Sequence, residues 1–239
     1  MEFDVSIVIA CYNEEPLLVQ SVKELRQVMD QTRYTYELIF IDDCSRDRTK
    51  DIIIQIVKDL PNTHSLFHEK NKGRGGTVTD GLKMAAGKVA GFLDIDLEVH
   101  ARYIPSMVQA ILDGADVATA YRFYNVGLNP VAVLRHVLSI GYRKLMRLVL
   151  KLPLNDTETG YKFFNREKIL PVLEKTTNQG WFWDTEIMAL AYFVGLKIVE
   201  IPCLFIRRTD KVSSVKIFKD SIEYYRELRK FKQKLNGTK

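Results

Sequence analysis

The sequence predicts an α/β protein with a mostly parallel central sheet flanked by helices. Short apolar runs of strand length recur through the first half of the chain, and stretches with apolar residues three and four apart follow most of them. The residues that carry chemistry gather where the apolar runs stop. Strands alternating with helices imply parallel pairing through right-handed crossovers. In such sheets ligands collect at the carboxyl ends of the strands.

Taken in order, Val5-Ser6-Ile7-Val8-Ile9-Ala10 reads as the first strand. Residues 15–31 repeat apolar side chains at Leu18, Val22, Leu25 and Val28-Met29, a helical period. Glu37 to Ile41 is the second strand and ends at Asp42-Asp43. Asp47-Arg48-Thr49 opens a helix with Ile52, Ile53, Ile56 and Leu60 on one face. A short strand near Ser65-Leu66-Phe67 precedes a glycine-rich turn, Asn71-Lys72-Gly73-Arg74-Gly75-Gly76, and a helix through Leu82 and Met84 to Gly87. Val89 to Leu93 is a buried strand, residues 104–112 a helix, and Asp116 to Ala120 a further strand. Residues 131–152 are apolar but interrupted by Arg135, Arg143, Lys144, Arg147 and Lys151, which suits a core helix or one lying at an interface, not a membrane span. The tail, roughly 216–235, places Phe218, Ile222, Tyr225, Leu228 and Leu235 on one helical face. There is no internal repeat.

The strand Val89–Leu93 runs straight into Asp94-Ile95-Asp96-Leu97-Glu98. On an extended chain, carboxylates at i and i+2 point to the same side. Two acids at the mouth of an apolar strand repel and lose hydration unless a cation sits between them. A hard divalent ion with oxygen ligands, accompanied by a phosphate-bearing substrate, answers that need, with Glu98 as a third donor. A pair of solvated turn carboxylates is the plain alternative.

Composition bounds the rest. With 239 residues, 46% of them hydrophobic and 27% charged, the chain suits one large domain. No run of 18 uncharged apolar residues occurs, so no spanning helix is expected. Met1-Glu2-Phe3-Asp4 enters the first strand at once, so no leader is expected either. Cys11, Cys44 and Cys203 are scattered, which fits a reduced, cytoplasmic setting, and the four histidines show no ligand spacing. Residues 211–239 hold nine Lys/Arg against three Asp/Glu, a net of +6, whereas the whole chain is +5. The body, 1–210, is therefore close to neutral. This argues against nucleic acid as a partner and for a local anionic contact made by the tail, 211–239.

Four segments, in order, resemble the inverting family 2 glycosyltransferases of GT-A fold: Ile9-Ala10-Cys11-Tyr12-Asn13-Glu14; Ile41-Asp42-Asp43-Cys44-Ser45-Arg46-Asp47-Arg48-Thr49; Asn71-Lys72-Gly73 with Gly75-Gly76; and Asp94-Ile95-Asp96, followed downstream by a pair, Asp156 to Lys162 and Trp181 to Glu186. The last pair resembles the polyprenyl-phosphate branch, which includes dolichol-phosphate mannosyl- and undecaprenyl-phosphate glucosyltransferases. Ala10 stands where the family usually has proline, and the frequent C-terminal membrane helices have no counterpart.

The resemblance implies a nucleotide-sugar site of Ala10, Tyr12, Asn13, Glu14, Asp42, Asp43, Lys72, Gly73 and Asp94, although helix capping is an alternative for the acids among them. It implies Mg²⁺ or Mn²⁺ held by Asp94, Asp96 and Glu98. Arg122, Arg135, Arg208, Ser214 and Lys216 would meet an acceptor phosphate, with surface salt bridges the alternative. Asp96, Asp156 and Arg122 form the expected catalytic set, Asp156 either taking a proton or orienting a basic residue. The partners implied are a GDP- or UDP-linked hexose, a polyprenyl phosphate and an anionic membrane surface at the inner face, reached peripherally. A soluble or glycan acceptor, and a non-catalytic nucleotide-sugar binder, remain as alternatives.

Overall fold

The computed structural model describes residues 3–124, 141, 144, 146–208 and 217–237. Seven strands form one sheet: β1 (Val5–Cys11), β2 (Tyr36–Asp42), β3 (Thr63–Phe67), β4 (Val89–Leu93), β5 (Val117–Tyr124), β6 (Tyr161–Asn165) and β7 (Ile198–Phe205), in the order β3-β2-β1-β4-β6-β5-β7. All neighbours are parallel except β6, which runs antiparallel to β4 and β5. The sequence did not announce β6. Its Lys162 breaks the apolar run, and the helix that follows it begins at once, at Arg166.

Helices cover both faces. On one lie α1 (Leu18–Met29), α2 (Thr49–Asp59) and α4 (Ile104–Leu112), packed on Ile7, Ile9 and Phe40. On the other lie α3 (Gly73–Met84), α5 (Arg166–Leu173), α6 (Trp183–Phe193) and α7 (Ile217–Gly237), packed on Val8, Ile39 and Ile41. Adjacent strand residues thus feed opposite cores, which is why β1 and β2 read as unbroken apolar runs.

Three expectations change. The glycine-rich turn is the first turn of α3. Asp43 Oδ1 and Oδ2 accept the Lys72 and Gly73 amides (2.7 and 2.9 Å), and the Gln179 carbonyl accepts those of Gly75 and Gly76 (2.8 and 3.3 Å). Capped this way, the helix tolerates glycines that would otherwise weaken it. Within residues 131–152 the described part is core: Met146, Leu150 and Leu152 are buried, although Leu148 faces solvent. The tail helix is seated on the body. Leu228 and Phe231 are buried and Leu235 packs beside them, while Ile222 and Tyr225 point outward, so the expected face is split: Leu228 and Leu235 pack and the other two do not. The Phe218 side chain, Arg135, Ser214 and Lys216 lie outside the described residues. No helix among the described residues is long and apolar enough to cross a membrane.

Candidate active site

The acidic segment leaves the sheet through a turn, not along an extended strand as the spacing suggested. β4 ends at Leu93; the Leu97 amide donates to the Asp94 carbonyl (3.1 Å), and Leu97 takes φ +54°. Alternation survives the turn. Ile95, Leu97 and Val99 are buried, while Asp94, Asp96 and Glu98 are partly exposed. These three carboxylates line one cleft with Arg122, Gly160, Tyr161 and Phe205. The far end is pinned to the segment after β7: Glu98 Oε1 accepts the Arg208 amide (3.1 Å), and Arg208 Nη1 lies 3.5 Å from the Asp96 carbonyl oxygen.

Beneath the turn runs a line of alternating charge that sequence reasoning missed. Arg74 reaches Asp94 Oδ1 through Nη1 (2.6 Å) and Asp184 Oδ2 through Nε (3.1 Å). Asp184 Oδ1 also accepts from Lys162 Nζ (2.9 Å), and Lys162 is fully buried. Burial opposes charge on Arg74, but Asp94 and Asp184 outweigh it and raise its pKa. Burial pushes the Lys162 ammonium down in spite of Asp184. Gly160 permits the arrangement, since a Cβ there would sit 2.0 Å from Asp94 Oδ2 and 2.4 Å from Arg74 Nη2. The available signal was a set of charges, Arg74, Lys162 and Asp184, inside segments otherwise made of glycine and aromatic residues.

Across the cleft, Arg122 sits within β5, because that strand continues to Tyr124, beyond the Ala120 expected as its end. Arg122 grips Asp156 with two bonds, Nε to Oδ2 (2.7 Å) and Nη2 to Oδ1 (2.9 Å). Asp156 has no exposed surface. Burial alone would raise its pKa, but the Arg122 charge and hydrogen bonds bring it below the usual carboxylate range. Its backbone is held by Glu200, which accepts the Asn155 and Asp156 amides (2.7 and 2.9 Å). A carboxylate so engaged orients an arginine; it is poorly placed to take a proton.

At the ends of β1 and β2, two loops are stitched together. Ser45 Oγ accepts the Asn13 amide (2.9 Å), Asn13 Oδ1 the Arg46 amide (2.8 Å), and Thr49 Oγ1 the Glu14 amide (2.7 Å). Asn13 holds φ +56°, and Tyr12 beside it is exposed. Ala10 lies in β1 against Ile41. Asp42 is buried; Oδ2 accepts the Ser45 amide (3.2 Å) and Oδ1 has no protein partner, an acceptor aimed at this corner.

The remaining residues expected at the nucleotide do structural work. Asp43 is buried and clamps the start of α3, and His68, read as ordinary, bridges Asp43 (2.8 Å) and Asp80 (3.1 Å). Lys72 pairs with Asp80 (2.6 Å). Gly73 holds φ +80°, where a Cβ would lie 2.6 Å from the Gln179 carbonyl oxygen, so its bareness admits the 177–180 loop. Glu186 is likewise structural, accepting the Thr177 and Asn178 amides (3.0 and 2.8 Å).

No group of three His, Cys, Asp or Glu side chains among the described residues is placed to hold a metal ion, so Asp94, Asp96 and Glu98 do not converge as the expected trio. Asp94, Asp96 and Glu98 nevertheless supply oxygen donors to one cleft, so a divalent ion there would draw the rest of its shell from phosphate oxygens and water.

A mostly parallel sheet with an acidic turn after its central strand defines a GT-A glycosyltransferase domain. Glucosyl-3-phosphoglycerate synthase from Mycobacterium tuberculosis, solved with Mn²⁺, uridine diphosphate and phosphoglyceric acid, superposes with a TM-score of 0.69 at 16% identity, covering 95% of this chain and 76% of that one. Residues 6–171 match the model of glycosyl transferase family 2, and the chain belongs to that family. Its relatives include a dolichyl-phosphate beta-glucosyltransferase of Trichomonas vaginalis, 29% identical over 82% of this chain and 64% of the relative. That of Saccharomyces cerevisiae is 27% identical over 84% and 66%. Glycosyltransferase AglD of Haloferax volcanii is 27% identical over 83% and 32%. The chain thus spans about two thirds or less of the length of these relatives.

Proposed function

We propose that this chain transfers a hexose from a nucleotide diphospho-sugar to a polyprenyl phosphate, with inversion at the anomeric carbon. The observation that carries the reading is the single cleft with an acidic turn on one wall and the Arg122–Asp156 pair on the other. The names of the relatives favour a dolichyl-type phosphate as acceptor and glucose as the sugar. UDP-glucose is therefore the first donor to try, before GDP-mannose and UDP-GlcNAc.

Tyr12, Asn13, Glu14 and Asp42 meet the base and ribose, the Asp42 Oδ1 acceptor suiting a ring N–H. Asp96, with Asp94 and Glu98, would hold the divalent ion, which when bound offsets charge on the departing nucleotide diphosphate. Arg74 holds the Asp94 side chain in place through its ion pair. The acceptor phosphate is already an anionic nucleophile at neutral pH and needs alignment and relief of repulsion more than a base. Arg122 provides both through a fixed charge and a planar fork, and Asp156 aims it. Arg208 contacts Glu98 and Asp96, which line that cleft; Arg135, Ser214 and Lys216 are assigned to the acceptor phosphate on resemblance alone.

The exposed face of α7 carries Arg226, Arg229, Lys230 and Lys232 with Ile222 and Tyr225. Basic residues near an anionic leaflet contribute roughly 1 kcal/mol each, so this face suffices for reversible docking at the inner surface. Pelleting with anionic vesicles at low salt tests it; protein left in the supernatant contradicts it.

Incubating the protein with each labelled donor, polyprenyl phosphate and Mg²⁺ or Mn²⁺ tests the reaction. Organic-extractable label from one donor, lost with EDTA, is the expected result. Metal-dependent donor consumption without organic label would move the acceptor to a soluble molecule.

A further inference from the structure

The tail helix reaches the acceptor wall from within. The Tyr224 ring meets Phe182 edge-on at 5.0 Å between centroids, and its hydroxyl hydrogen-bonds Thr185 Oγ1. Thr185 Oγ1 lies 2.9 Å from Thr157 Oγ1. Thr157 directly follows Asp156, and Thr185, Thr157 and Asp156 are all buried. Each hydroxyl has one proton, so Thr185 accepts from one neighbour and donates to the other, and the three form a directed chain. Burial pushes the Tyr224 phenol well above the ordinary tyrosine range, and the Arg122 charge is near enough to oppose that shift. The helix is seated independently of this hydroxyl: Leu228 and Phe231 are buried, Phe182 meets Phe231 edge-on at 5.7 Å between centroids, and Glu227 accepts from Asn178 Nδ2 (3.2 Å).

We propose that α7 belongs to the acceptor half of the site and that Tyr224 is a positioning residue, its hydroxyl fixing the 155–160 loop through Thr185 and Thr157 and so aiming Asp156 and Arg122. This rests on the reading of Arg122 as the acceptor-phosphate contact. It makes the helix that carries the outward basic face also the helix that sets the acceptor grip, so surface docking and acceptor alignment share one element.

The test pairs hydrogen–deuterium exchange with kinetics on the full chain, comparing Tyr224→Phe, Thr157→Val, the double variant, Thr157→Ser and, as control, the exposed Tyr192→Phe. Tyr224→Phe keeps the ring and removes only the hydroxyl. Exchange across 155–160 rises about fivefold, the size of one lost hydrogen bond, while α3 is unchanged. The KM for polyprenyl phosphate rises by about the same factor, with kcat and donor KM steady. Thr157→Val does the same, the double variant adds nothing further, and Thr157→Ser restores the wild-type values. Unchanged exchange and acceptor KM in Tyr224→Phe overturn the proposal. So does a fall in melting temperature with kcat and both KM values degraded together, which marks general loosening. If wild-type protein makes no lipid product, the proposed reaction falls, and the exchange data alone decide the role of Tyr224.

Discussion

On the donor wall of the cleft the carboxylates stay partly in water, with the Asp94 side chain 46% exposed; on the acceptor wall Asp156 is wholly buried against Arg122. The donor wall can exchange partners, because water or an incoming cation can replace what Asp94 and Asp96 touch. The acceptor wall cannot, because a carboxylate removed from water without its arginine is costly. One wall is built to receive charge and the other to hold a fixed charge in place.

The sharpest way to break this contrast is Asp156→Ala. It strands Arg122 beside an empty pocket and costs about 3 kcal/mol of stability, at the lower end for a broken buried pair because Arg122 keeps 17% exposure. Urea midpoints measure it; a loss no larger than a surface substitution would show that the two walls do not differ. The pH profile sharpens it. Asp156 has a folded pKa below its unfolded value of about 3.9, so its contribution is complete above that pH and disappears as pH falls through the folded value. Asp156→Asn therefore flattens the acid limb of stability, and the stability it loses is lost in full at neutral pH.

Asp96→Asn probes the opposite wall. Transfer falls by about 10² to 10³, the usual cost of one electrostatic contact to developing charge, while the melting temperature holds. Residual activity near wild type would remove Asp96 from the site. Arg74→Lys comes next, since a lysine cannot bridge Asp94 and Asp184 together. The donor KM rises about tenfold, or about 1.4 kcal/mol, with acceptor KM unchanged. The smallest effect belongs to Arg229→Glu, which weakens vesicle binding by roughly 1 kcal/mol or somewhat more and leaves transfer to a short, water-soluble isoprenyl phosphate intact.

The two walls were also unequally legible. β1, β2, β4 and α4 followed from apolar runs and helical spacing, because each buries local, periodic residues. The acidic turn was legible as chemistry but not as geometry, since Leu97 at φ +54° turns a presumed strand. On the acceptor wall Arg122 was legible as a charge near a strand end, and Asp156 only through resemblance. Asp156 meets Arg122 across 34 residues and Tyr224 meets Thr185 across 39, and no local period records such pairings. Gly73 shows the same for a glycine: no local signal records that the Gln179 carbonyl, more than a hundred residues on, lies 2.6 Å from where its Cβ would be.

The most direct measurement is transfer of label from UDP-glucose to polyprenyl phosphate by wild-type protein and Arg122→Ala, with donor binding followed in parallel by calorimetry in Mg²⁺. The two-wall account predicts organic-extractable label from wild type, its loss in Arg122→Ala, and donor affinity unchanged between them. Equal lipid labelling by both proteins, or loss of donor binding in Arg122→Ala, would contradict it.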